Sequence, residues 1–236
     1  MTQRAVARID LGAVERNCTR LPKPLCAVVK ADAYGHGVGP VVEAALAGGA
    51  TWLAVATAGE AAELRRLAVD VPVLVMGAVT RDELRVAIDA EADVVAWSEE
   101  VAEAAPRIHV KLDTGMGRLG TRDRELALRL AARPNTVGLM THFATADDLS
   151  DDLFGAQLEA FTEFVEAVGR DVVIAHAANS AAALREPQRQ LPVLGAEPAH
   201  AGVELHVHAR RRLGHLLRPR HHIRLGVDRH PELSRR

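Results

Sequence analysis

Leu25-Cys26-Ala27-Val28-Val29-Lys30-Ala31-Asp32-Ala33-Tyr34-Gly35-His36-Gly37 joins a strand signal to a candidate functional residue. Five apolar residues run up to a lysine, and turn chemistry follows at once. Such a run reads as a buried strand reaching the mouth of a site. Lysine is rare in this chain, with only Lys23, Lys30 and Lys111 among 29 basic residues. Two readings of Lys30 stand on these residues alone. It could snorkel from a strand end. It could instead lose hydration there, so that its neutral amine can attack an aldehyde and form a Schiff base.

The pattern of Leu25–Val29 recurs along the chain. Short apolar or β-branched runs occupy 52–56, 71–76, 93–97, 108–112, 137–141 and 172–176. Each is too short for a helix and nearly continuous in apolar character, as parallel strands buried on both faces are. Ala/Leu/Glu/Arg-rich stretches separate them. In the clearest, 153–168, Phe154, Leu158, Phe161, Val165 and Val168 form one apolar stripe at helical spacing. Ala58–Ala68 carries Glu60, Glu63, Arg65 and Arg66 on a solvent face. Repeated strand–helix units predict an α/β fold. Seven strands are clear, one short of a closed (β/α)8-type TIM barrel. Val203–Val207 alternates as an exposed strand would, and His222–Val227 is a weaker candidate. Neither resembles a buried barrel strand, so the expected fold is a (β/α)8-type TIM barrel, complete or, with seven strands, open at two unpaired edges.

Composition narrows the class. The 236 residues are 48% hydrophobic, enough for a core. No apolar run is long enough to span a bilayer, and Met1-Thr2-Gln3-Arg4 lacks the apolar stretch of a secretory signal. A soluble cytoplasmic protein is expected. Cys18 and Cys26 offer neither metal spacing nor a disulfide framework and read as reduced thiols. The net charge of −2 conceals an asymmetry. Residues 200–236 hold nine arginines and three acids, a surplus of six positive charges, so the first 199 residues carry −8. The same tail holds seven of the 11 histidines, and the last aromatic residue is Phe164.

AVVKADAYGHG (Ala27–Gly37) resembles the lysine motif of alanine racemases, which depend on pyridoxal 5′-phosphate (PLP). VKLDTGMGRLG (Val110–Gly120), THFATAD (Thr141–Asp147) and HAANSAA (His176–Ala182) match the same family in the same order. The resemblance runs from about Ala5 to about Pro187. It implies a PLP-binding barrel domain over 1–187, an isomerase that interconverts L-alanine and D-alanine for cell-wall synthesis, and a homodimer. Related readings are a racemase of broader amino-acid specificity and a non-catalytic PLP-binding barrel. The implied partner is a small-molecule substrate, alanine, with no nucleic acid, no membrane and no metal.

The resemblance also implies residue roles. Lys30 is the cofactor lysine and one of two racemisation bases, one for each face of a planar carbanion. Tyr34 contacts the PLP phosphate. Arg118 hydrogen-bonds the phenolic oxygen of PLP, and Lys111 matches a lysine, carbamylated in many members, that pairs with that arginine. Carbamylation would turn a repulsive Lys111–Arg118 pair into an attractive one. His142 supports an arginine at the pyridine nitrogen. Asn179 and Ser180 follow a strand and open a helix. Ser180 matches a phosphate ligand, and a plain N-cap is the structural alternative for the pair. Gly35, Gly37 and Gly39 allow tight turns. His36 reads as a loop residue and Asp113 as a turn or cap residue.

Two family elements are not found. The arginine at the pyridine nitrogen has no counterpart at the expected place, since Arg224–Gly226 lies too far along. The second base is a tyrosine from the partner's C-terminal β domain in the family, and the sole tyrosine here is Tyr34. The family's N-terminal strand, at Ala5–Leu11, belongs to that second domain, for which too little sequence follows Pro187. Residues 188–236 read as a frame-shifted or truncated continuation, a disordered basic extension, or a metal- or nucleic-acid-binding tail through His206, His208, His221 and His222. Without cysteine partners or aromatic residues, the last reading lacks the usual donors and stacking surfaces.

Overall fold

A computed structural model describes residues 7–169 and 174–185, together with the backbone of 201–206. Eight parallel strands close into a barrel in sequence order. They are β1 (Leu25–Val28), β2 (Trp52–Val55), β3 (Val73–Val75), β4 (Asp93–Ala96), β5 (Ile108–Lys111), β6 (Thr136–Met140), β7 (Ile174–Ala178) and β8 (Ala201–His206). The described helical elements are α1 (Leu11–Arg20), α2 (Lys30–Gly35), α3 (Val38–Ala47), α4 (Ala58–Arg66), α5 (Arg81–Asp89), α6 (Glu99–Ala104), α7 (Arg124–Ala131), α8 (Leu153–Val168) and α9 (Ser180–Arg185). The fold is a (β/α)8-type TIM barrel.

Of the two forms expected, the described backbone takes the closed one. β8 pairs with β7 on one side and with β1 on the other, with Leu25 opposite Val203 and Val28 opposite His206. It falls on the alternating segment that its side-chain pattern argued against. Ladder hydrogen bonds to two neighbours close the ring, and these do not require an apolar sequence. β8 also lies within the segment set apart as a tail. His208, His221 and His222 lie outside the described residues, as does Arg224–Gly226. The strand expected at Ala5–Leu11 is not seen over residues 7–11. Residues 7–10 form no regular element, and Leu11 opens α1, capped by the Asp10 carboxylate on the Ala13 N–H at 3.0 Å.

Strand residues alternate between two apolar layers. Leu25, Ala27, Leu53, Val55, Val73, Val75, Val94 and Ile108 face outward onto the helices. Cys26, Val28, Trp52, Ala54, Leu74, Val95 and Met140 form a second cluster inside the barrel. Burial on both faces explains why the strands read as continuous apolar runs. Helix starts follow local rules. Thr57 with Glu60 and Thr80 with Glu83 form capping boxes on α4 and α5. In α8, Phe154, Phe161, Phe164 and Val165 are buried, whereas Leu158 and Val168 are only partly so. The packed face is thus wider than the stripe read from the sequence. Cys18 and Cys26 are both buried, and burial pushes the Cys18 thiol up to about 11, as suits an unreactive core thiol.

Phe161 has no exposed surface. Replacing it with alanine is expected to cost about 3–5 kcal/mol in denaturant unfolding. A loss below about 1 kcal/mol would show that α8 is not docked as described.

Candidate active site

Ligand sites in this architecture lie at the C-terminal ends of the strands. Lys30 lies two residues past the end of β1, at that mouth, and is half-buried. The chain then does something few sequences do. Ala31, Asp32, Ala33 and Tyr34 all have left-handed backbone, with φ between 50° and 60°. None is glycine, and each such residue costs roughly 1–2 kcal/mol. Several bonds hold this left-handed turn. The Ala31 N–H donates to Glu60 Oε1 at 2.6 Å, the Val38 N–H donates to Asp32 Oδ1 at 2.7 Å, and the Ala33 N–H donates to the Val29 carbonyl at 2.9 Å. Ala33 is fully buried. His36 Nδ1 lies 2.6 Å from the Ala33 carbonyl, in keeping with a loop residue that steadies the turn.

The turn carries Tyr34 back over the barrel. Its ring packs against the inner apolar cluster, and the Lys30 ammonium lies 5.9 Å from the ring centre. Met76 and Trp97, just past β3 and β4, pack against the same cluster. The mouth above the inner core is therefore apolar on the β3–β4 side.

Lys111 ends β5, four strands from β1 and so on the opposite wall, and is 4% exposed. The following loop folds back onto it. The Thr121 N–H donates to the Lys111 carbonyl at 3.1 Å, and a Cβ on Gly120 would crowd the Lys111 side chain. Asp113 organises this loop, as expected of a turn residue. It accepts the Gly115 and Gly117 N–H groups and pairs with Arg122 at 3.0 Å. Burial raises the Asp113 pKa, but the Arg122 and glycine hydrogen bonds together outweigh it and hold the carboxyl below the usual range. Arg118 is exposed on the same loop and forms no ion pair among the described residues. The structure thus places Lys111 inside and Arg118 outside.

The walls after β6 and β7 are joined. Asn179 Nδ2 donates to the Phe143 carbonyl at 3.1 Å, while Asn179 Oδ1 accepts the Ala182 N–H at 3.0 Å. Asn179 is therefore the N-cap of α9, and half-buried Ser180 is its first residue. His142, also half-buried, follows Thr141 at the end of β6. Its carbonyl accepts from Gln157 Nε2 at 3.1 Å.

Three groups escaped the sequence reading. Gln157 is fully buried on α8, where it accepts the Ala144 N–H and donates to His142 and Thr114, so it ties the loops after β5 and β6. A glutamine on the apolar stripe between Phe154 and Phe161 was the available signal. Glu60 was read as a solvent-face residue but reaches the Lys30 turn. Below the mouth, Asp93, His109 and His176 form a buried chain. His109 Nε2 lies 3.2 Å from Asp93 Oδ2, and His109 Nδ1 lies 2.8 Å from His176 Nε2. Arg107 completes the set with two hydrogen bonds to Asp93. The carboxylate takes the Nε2–H of His109, so its Nδ1 accepts from His176. A Cβ on Gly138 would overlap the His109 ring, so glycine makes room for the chain.

Comparison with known proteins decides the family. Residues 9–194 match the family model "Alanine racemase, N-terminal domain". The chain belongs to the alanine racemase family. It is 40% identical over 210 residues to the alanine racemase of Beutenbergia cavernae, covering 78% of this chain and 56% of that protein. It is 40% identical over 201 residues to alanine racemase 1 of Bacillus subtilis, covering 76% and 51%. Among solved structures, alanine racemase from E. faecalis superposes with a TM-score of 0.78 at 32% identity, covering 92% of this chain and 63% of that one. The Bacillus anthracis alanine racemase, solved with bound L-Ala-P, gives 0.72 at 31% identity, covering 88% and 57%. The chain thus spans about half the length of the curated relatives it matches. No helix among the described residues is long and apolar enough to cross a membrane.

The buried chain predicts an acid-sensitive barrel. Burial lowers the His109 pKa more than its Asp93 bond raises it, so the folded value lies below the ordinary 6.5. Burial raises the Asp93 pKa, but its His109 and Arg107 bonds outweigh this and bring it below 3.8. Both folded values lie beneath the unfolded ones. Their stability is present at neutral pH, declines below about pH 6.5 as unfolded histidine takes up a proton, and declines further below about pH 4. Asp93→Asn is expected to cost about 1–3 kcal/mol at pH 7 and to flatten the lower limb. Denaturant unfolding between pH 7 and pH 3.5 checks both. An unchanged acid profile in the variant would remove Asp93 from this role.

Proposed function

We propose that this barrel is the cofactor-carrying half of an alanine racemase and that Lys30 is its covalent anchor for PLP. The observation that carries the reading is the placement of Lys30 at the C-terminal mouth, beside Tyr34, in a chain of this family. The donor set suits a phosphorylated aldehyde. It offers an amine at Lys30, hydroxyls at Tyr34 and Ser180, and cations at Lys111 and Arg118. Tyr34 and Ser180 would hold the phosphate, with Asn179 shaping the approach. Lys111, carbamylated or not, and Arg118 would serve the phenolic side once the loop carrying Arg118 turns inward. His142 would support the ring from the β6 wall.

When bound, PLP spreads the negative charge that develops at the substrate α-carbon. Lys30 Nζ then takes or returns the α-proton on one face. The apolar Met76–Trp97 wall limits water, which strengthens charge interactions at the mouth. L-alanine and D-alanine are the proposed substrates, in a cytoplasmic homodimer. The opposite face needs its own base. Tyr34 is the one tyrosine in these 236 residues, so a tyrosine base for that face must come from outside them. This count favours one second reading, a PLP-holding barrel with little turnover of its own.

Lys30→Ala is expected to abolish the borohydride-trapped PLP–lysine adduct, mapped by peptide mass spectrometry. Persistence of the adduct in the variant would overturn the assignment. The 236-residue polypeptide with PLP is expected to turn over L-alanine about 10²–10⁴-fold more slowly than a full-length relative, the usual worth of one positioned proton-transfer group. Turnover matching the relative would show that a residue within these 236 supplies the second base.

A further inference from the structure

We propose that Glu60 is the positioning residue for Lys30. The inference rests on the reading of Lys30 as the cofactor lysine and assigns Glu60 a task beyond capping its own helix.

The β1–β2 ladder ends as the Val29 N–H donates to the Ala54 carbonyl at 2.9 Å. One residue past Lys30, the chain enters its left-handed turn, and the Ala31 N–H points away from any strand partner. Glu60 Oε1 accepts it at 2.6 Å. The other oxygen, Oε2, accepts the N–H groups of Ala56 at 2.8 Å and Thr57 at 2.9 Å, at the top of β2. One carboxylate therefore bridges the chain leaving β1 and the chain leaving β2. Oε2 completes a capping box, which α4 needs in any case. Oε1 does nothing for α4. Its partner is the first of four consecutive non-glycine residues with positive φ, a conformation that persists only where neighbours over-determine it.

The geometry separates the two tasks by substitution. Glu60→Gln keeps one accepting oxygen and replaces the other with an amide that cannot accept. The two N–H donors of Ala56 and Thr57 outbid the single one of Ala31 for the remaining oxygen, so Ala31 loses its acceptor. Thr57→Ala removes the hydroxyl that caps α4 and leaves both Glu60 oxygens in place. A purely structural Glu60 would make the two variants alike. A positioning Glu60 sets them apart at Lys30.

The test compares full-length wild type, Glu60→Gln and Thr57→Ala. In the cofactor-free protein, amide exchange at Ala31–Tyr34 is expected to rise about fivefold or more in Glu60→Gln and to stay at the wild-type rate in Thr57→Ala. With PLP, Glu60→Gln is expected to release cofactor about fivefold faster and to shift the pH midpoint of the visible band of lysine-bound PLP. Thr57→Ala is expected to lower only the melting temperature. If Glu60→Gln does not fold, Glu60→Asp keeps the charge, shortens the reach and is expected to show the same loss of protection at Ala31. Wild-type-like exchange and cofactor release in a folded Glu60 variant would overturn the inference. Absence of a wild-type adduct at Lys30 would instead overturn the cofactor reading, while the exchange arm would still judge Glu60.

Discussion

In β1 to β7, alternate side chains point into an interior that water does not reach. A polar group there must find a partner or be expelled. Among the described side chains the interior is accordingly apolar at Cys26, Val28, Ala54, Leu74, Val95 and Met140, and its buried polar groups meet one another. Asp93, His109 and His176 come from three different strands and satisfy one another, with Arg107 reaching in from the rim. Two residues further along β5, the same inward direction carries Lys111 to the mouth. A single periodicity thus orders a structural polar chain below and a candidate chemical group above.

A lysine at a strand end is mobile by default, because four rotatable side-chain torsions position its amine. What distinguishes Lys30 is the rigidity of the chain that follows. A left-handed turn of non-glycine residues has few alternatives once Glu60 and Val29 accept its Ala31 and Ala33 N–H groups and Asp32 accepts the N–H of Val38. It also returns Tyr34 to within reach of the lysine four positions earlier. An ordinary right-handed turn would carry the chain in another direction. The conformational cost falls on the residues flanking the amine, and α4 and the buried Ala33 methyl offset it.

Legibility in the sequence followed the range of the interaction. Strand positions were legible because burial on both faces imprints apolar runs that need no knowledge of partners. The strand observed at Asp93–Ala96 was read to within a residue, and α8 to both ends. β8 was legible only as a candidate strand at Val203–Val207 and not as a barrel strand, because ladder bonds to β7 and β1 belong to the backbone and leave no mark on side-chain type. The motif residues Lys30, Lys111, His142, Asn179 and Ser180 all lie at strand ends or just beyond them. Glu60 and Gln157 escaped because each bonds to loops remote from it in sequence, 29 residues for Glu60 to Ala31 and 43 for Gln157 to Thr114. His109 escaped because its role depends on two other strands.

Membership in the family and chemistry at the mouth constrain each other. Racemisation must deliver a proton to either face of one carbon, so a single rigid wall cannot complete it. The chain leaving β1 forms one wall, where the strained turn follows Lys30. The opposite wall, at the end of β5, holds a buried lysine beneath a loop that turns Arg118 outward. That loop hinges on Asp113, whose bonds to Gly115, Gly117 and Arg122 leave Arg118 outside the anchored part. Arg118 and Leu119 form the tip of this loop, between Gly117, which is bonded to Asp113, and Gly120, which packs against Lys111. Lys30 and Arg118 thus follow separate strands, β1 and β5, on opposite walls of the mouth.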